Sequence, residues 1–196
     1  MLIKTFVVGM IQTNCYIVTD EQTLQCAVID PGAESGTILN YIDDNGLKLS
    51  AVFITHGHSD HIMAVEELVF EKPAPVFVSA LDDADLRGVP TLRHYGDGDK
   101  VSVGNLVFTV IATPGHTRGG VCLRCEDALF TGDTLFRDSV GRTDFEGGDM
   151  NVLLESLRKL YRLKGDFEVY PGHAESTTLD EERRMNYYMK YAIERA

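Results

Sequence analysis

Residues 51–61 read Ala51-Val52-Phe53-Ile54-Thr55-His56-Gly57-His58-Ser59-Asp60-His61. The first four are apolar without alternation, which predicts a short strand buried on both faces. Three histidines and an aspartate follow at once, in the order His-x-His-x-Asp-His. Imidazole and carboxylate donors mixed at this density suit zinc or iron. By chance the pattern arises in roughly 5 of 10,000 chains of this composition, so it calls for a chemical reason. A strand that delivers its donors as it ends would place them along the edge of a sheet.

The same punctuation recurs downstream. His116 lies in Thr113-Pro114-Gly115-His116-Thr117, Asp133 in Phe130-Thr131-Gly132-Asp133-Thr134, and His173 in Tyr170-Pro171-Gly172-His173. Each follows a strand-like run and precedes a Gly, Pro or helix signal, so one sheet edge could gather them all. Together these positions take five of the six histidines. So many donors exceed one tetrahedral ion, which leaves two metals, or one metal beside unused ligands. The sixth histidine, His94, sits in loop-like sequence and matches no ligand spacing. It reads as a surface or substrate-rim residue.

Around these motifs, strand and helix signals alternate in two similar halves. Strands are expected at Ile3–Val8, Asn14–Thr19, Gln25–Ile29, Ala51–Thr55 and Pro75–Ser79, and then at Lys100–Val103, Leu106–Ala112, Gly120–Arg124, Ala128–Thr131 and Phe167–Tyr170. Helices are expected at Ser35–Asn45, Met63–Phe70, Leu81–Arg87, Met150–Leu163 and, as a single final piece, Leu179–Ala192. Two groups of strands with helices between them predict two sheets packed face to face, with helices outside.

Composition narrows the partners. The net charge of −12 argues against nucleic acid and anionic membrane surfaces. At 196 residues the chain reads as one domain, 1–196, or a tightly fused pair of half-domains; no separate C-terminal domain is expected. The N-terminal apolar run is too short to span a membrane and carries no cleavage signal, so the expected location is the cytoplasm. Cys15, Cys26, Cys122 and Cys125 are scattered and read as buried free thiols. Cys122 and Cys125, three apart in a strand-like run, should point to opposite faces. Nothing in the sequence fixes an oligomeric state.

The combination Thr-His-x-His-x-Asp-His, Thr-Pro-Gly-His-Thr, Gly-Asp-Thr-Leu-Phe and Pro-Gly-His resembles the metallo-β-lactamase superfamily, and within it the short, single-domain relatives of glyoxalase II (hydroxyacylglutathione hydrolase). The resemblance implies an α+β fold, a four-layer αββα sandwich, with two divalent metal ions at one edge: zinc first, iron or manganese as substitutes. It implies His56, His58 and His116 on one ion, Asp60, His61 and His173 on the other, and Asp133 between them. The reaction implied is hydrolysis of a small-molecule thioester by a metal-bridging hydroxide, with Asp60 and Asp133 holding the metals and orienting the nucleophile. Asp30 would act as an outer hydrogen-bond partner of a ligand imidazole, or simply as a turn residue. Arg142, near the lysine with which glyoxalase II binds a glutathione carboxylate, would contact the substrate or pair with Asp144 or Glu146. Persulfide dioxygenases resemble the chain at the same positions, and imply instead one iron on His56, His116 and Asp133. A non-catalytic metal-binding module is the remaining alternative, disfavoured because structural zinc sites are closed and usually rich in thiolates.

Overall fold

The computed structural model describes residues 1–195. Its first sheet runs, in spatial order, β1 (Leu2–Val8), β2 (Thr13–Asp20), β3 (Gln25–Ile29), β4 (Lys48–Phe53), β5 (Val76–Val78) and β6 (Leu92–His94). The first three strands pair antiparallel, and β3 through β6 pair parallel. The second sheet is built from β7 (Lys100–Val103), β8 (Leu106–Ala112), β9 (Val121–Cys125) and β10 (Ala128–Gly132). A small ribbon, β11 (Leu135–Phe136) with β12 (Ser139–Val140), stands apart from it. The sheet is completed on the other side of β10 by β13 (Glu168–Pro171), which pairs parallel, and then β14 (Thr177–Thr178).

Strand β4 shows why the quoted apolar run has no polar face. Ala51 and Phe53 enter the core between the sheets, where Phe53 meets Phe108 at a ring separation of 4.8 Å. Val52 and Ile54 point the other way, under α1 (Ser35–Asp44) and α3 (Val65–Glu71). Strand β2 divides its side chains likewise: Tyr16 and Val18 inward, Cys15 and Ile17 outward. On the far side of the second sheet, α4 (Met150–Tyr161) and α6 (Tyr187–Glu194) cover Cys122, Leu129 and Val169. The outcome is helix, sheet, sheet, helix, the expected αββα sandwich. All four cysteines are buried and free, and Cys122 and Cys125 face different layers as their spacing predicts. Among the described residues no helix is long and apolar enough to cross a membrane.

Four segments depart from expectation. The helix expected at Met63–Phe70 is α3, which starts at Val65, and a separate unexpected turn of helix, α2 (Ser59–Ile62), precedes it inside the histidine motif. The break falls where the Ala64 amide leaves the helical ladder and donates to Pro31 O at 3.0 Å. The single final helix is α5 (Leu179–Met185) followed by α6. Asn186 between them is extended and buried, and its side chain accepts from the amides of Tyr188 and Met189, which is an N-cap inside an otherwise helical pattern. The helix expected at Leu81–Arg87 shrinks to one 3-10 turn at Ala84–Leu86. His94 ends a strand rather than lying in a loop, with Nε2 at 2.9 Å from Asp83.

Candidate metal centre

Parallel pairing of β3 with β4 and of β10 with β13 aligns strand ends, and the donors are carried there. His56, His58, Asp60 and His61 follow β4, the last two on α2. His116 follows β8, Asp133 follows β10 and His173 follows β13. All seven expected ligands meet at this edge, drawn from both sheets. His94 and the four cysteines belong to none of the groups that could hold an ion.

The seven fall into two adjacent groups. His58 Nδ1 lies 3.1 Å from His56 Nε2 and 2.9 Å from His116 Nε2, so three ring nitrogens face one point. In the second group, Asp60 Oδ2 lies 3.4 Å from His61 Nε2 and 3.2 Å from His173 Nε2. Asp133 stands between them. Its Oδ2 is 3.5 Å from His116 Nε2 and 3.6 Å from His173 Nε2, and its Oδ1 is 3.5 Å from His61 Nε2. Donor atoms of each group lie within 4.8 Å of one another.

The donor set fits divalent cations on two counts. First, His61 Nε2 and Asp133 Oδ1 are buried without any hydrogen-bond partner, an arrangement that costs about 1–3 kcal/mol per atom unless something satisfies it. Second, burial and then the neighbouring imidazoles push His56 well below its ordinary pKa, and burial with His116 lowers His58. Both shifts favour the neutral ring, the form that binds metal. Burial opposes ionisation of Asp60, but the hydrogen bond to His173 and the charge of His61 outweigh it and hold the carboxyl below its usual range.

A further layer aims these donors. Asp30, held at a φ of +51°, accepts from the Thr55 amide and hydroxyl, both at 2.7 Å, and lies 3.0 Å from His61 Nδ1. That contact turns His61 Nε2 toward the site. Thr13 donates to Asp60 Oδ2 at 2.9 Å. His116 Nδ1 donates to the backbone carbonyl of Arg142 at 2.7 Å. A Cβ on Gly172 would lie 2.2 Å from Asp133 Oδ1, so the residue before His173 has room for no side chain.

The Arg142 guanidinium, expected as a substrate contact, grips Asp144 with two hydrogen bonds of 2.6 and 2.7 Å and lies 3.8 Å over the Phe145 ring. This is the ion pair that its sequence allowed. An open cleft of about 480 Å³ runs up to His58, and the cation on its wall is Arg118. Leu81, Phe145, Asp82 and Glu146 also line it. Asp82, like Arg118, is a residue the sequence did not reveal. Its carboxylate accepts from the Gly57 and Gly119 amides and the Thr117 hydroxyl, and backbone donors leave no trace in a motif.

Comparison with known proteins agrees with this geometry. The pattern that defines the metallo-beta-lactamase superfamily matches residues 8–173. The hydroxyacylglutathione hydrolase GloC of Haemophilus influenzae is 32% identical over 209 residues, covering 96% of this chain and 98% of that one. The crystal structure of ETHE1 from Myxococcus xanthus superposes with a TM-score of 0.86 at 36% identity, covering 95% of this chain and 84% of the other. TTHA1623, solved in a di-iron-bound form, gives a TM-score of 0.83 at 34% identity, with 94% and 99% covered. On the match of its sequence and of its two-sheet fold, the chain belongs to the metallo-beta-lactamase superfamily.

Proposed function

We propose that this chain is a dinuclear metal-dependent thioester hydrolase of the hydroxyacylglutathione hydrolase type, acting as a single domain on a small-molecule thioester in the cytoplasm. The observation that carries this reading is the second donor group. Asp60, His61 and His173 complete a site beside His56, His58 and His116, with Asp133 facing both. Chemistry at one ion would need only one group. Zinc suits these donors, as do iron and manganese. Two of the similar proteins support this reading, GloC by its hydrolase name and TTHA1623 by the di-iron-bound form in which it was solved.

Bound there, two divalent cations would supply an acidified water and polarisation of the thioester carbonyl. The protein does the rest. Asp60 and Asp133 supply the carboxylates of the site, Asp133 between the two groups, and would hold the ions and orient the attacking water. Asp30 and the Arg142 carbonyl keep the imidazoles turned inward. The cleft beside His58 admits the thiol half of the substrate, with Leu81 and Phe145 as apolar wall and Arg118 as the cation for an anionic group. No serine or cysteine nucleophile is required, in keeping with four buried thiols.

A second reading has its own observation. His116 Nε2 lies 3.5 Å from Asp133 Oδ2, and His56 shares a donor group with each of them, which supports drawing from the same cluster the two-histidine, one-carboxylate set of a mononuclear-iron persulfide dioxygenase. The variant His58→Ala separates the two. It should abolish hydrolysis of S-D-lactoylglutathione while sparing oxygen uptake with glutathione persulfide. Hydrolysis that survives the substitution would count against the dinuclear reading.

A further inference from the structure

We infer that Asp82 is a positioning residue that sets the geometry of the first donor group and governs its affinity for an ion, an inference that rests on the metal-centre reading above. Asp82 follows β5, in a turn closed by its own amide donating to Ser79 O at 3.0 Å. Its carboxylate reaches into both loops that carry this group. Oδ2 accepts from the Gly57 amide at 3.3 Å, between His56 and His58, and from the Thr117 hydroxyl at 2.5 Å, next to His116. Oδ1 accepts from the Gly119 amide at 2.9 Å.

The two loops leave different sheets. The Gly57 loop follows β4 in the first, and Thr117 and Gly119 lie between β8 and β9 in the second. One carboxylate therefore joins the layers beside the place where His58 and His116 meet at 2.9 Å. Among the described residues no lysine or arginine pairs with it, and its carboxylate is held by these loops alone. Hydrogen bonds accepted by a carboxylate are among the stronger ones in proteins, enough to hold two loops of irregular backbone in one arrangement. The packing is correspondingly close: a Cβ on Gly57 would lie 2.4 Å from Asp82 O. In the second group Asp60 and His61 have other supports, in Thr13 and Asp30, so the influence of Asp82 should be confined to one group.

The test is a titration of metal-free protein with zinc against a chromophoric chelator, for the wild type, Asp82→Ala, Asp82→Asn and His58→Ala. His58→Ala marks which equivalent belongs to the first group. Asp82→Ala should weaken that equivalent by roughly 10- to 100-fold, the usual effect of removing an outer partner of a ligand, and leave the other unchanged. Asp82→Asn, which keeps the shape and one acceptor, should fall between. Unchanged affinities in both Asp82 variants would overturn the inference, as would equal weakening of both equivalents, which is what general loosening of the fold produces. If the wild type takes up one ion instead of two, the dinuclear reading fails. Asp82 is then judged on that ion: weakening shared with His58→Ala supports the inference, and no weakening overturns it.

Discussion

Single residues divide into those whose type announces their place and those placed only by the fold. The seven donors are of the first kind, because few side chains bind metal and their spacing repeats after each strand. Asp30 was half legible: an aspartate before Pro31-Gly32 reads equally as a turn, and only the 3.0 Å contact with His61 decides what it touches. Arg142 was legible as a cation near the site, but its partner was not, since Asp144 and the substrate compete for the same planar fork. Arg118 stayed unremarked because nothing in Thr117-Arg118-Gly119 says that the side chain lines a cleft. A comparison of two variants follows. Arg118→Ala should raise KM for an anionic thioester roughly tenfold, the loss of one charge-assisted hydrogen bond, with little effect on a neutral one. Arg142→Ala should change that selectivity less. Steady-state kinetics with paired anionic and neutral thioesters check this, and the reverse order would return the role to Arg142.

At the scale of elements, the strands were read well and the helix ends poorly. Strands such as β2, β3 and β4 are buried on both faces, so their apolar runs survive in the sequence as plain blocks. Helix boundaries depend on where single amides go. Ala64 donates to Pro31 rather than continuing α2 into α3, and Asn186 caps α6 in the middle of an amphipathic run. Strand β6 was missed because Leu92–His94 is short and lies at the sheet edge. Asn186 offers the sharpest check on this scale. Its Nδ2 also donates to Ser139 O at 3.0 Å and to the Glu182 carboxylate at 2.8 Å. Asn186→Ala removes the cap, worth about 0.5–2 kcal/mol, and strands buried partners besides. Urea unfolding should show a loss of about 2–3 kcal/mol with the metal content unchanged. A loss below about 0.5 kcal/mol would mean that α5 and α6 do not depend on this break.

The molecule as a whole brings seven donors from distant parts of the chain to one edge. Two sheets stacked through Phe53, Phe108 and Phe130 align the ends of β4, β8, β10 and β13. The donors can meet only when both sheets are packed, so ion binding and folding are coupled. Removing the metals with a chelator should lower the melting temperature, and returning zinc should restore it. A melting curve indifferent to chelation would show that the edge is rigid without ions. The central claim, two ions serving one hydrolysis, is tested most directly by metal content per chain on freshly purified protein, assayed in the same preparation with S-D-lactoylglutathione. About two equivalents of zinc, iron or manganese together with thioester hydrolysis is the predicted result. A single equivalent of iron with no hydrolysis, and oxygen consumed with glutathione persulfide, would contradict it.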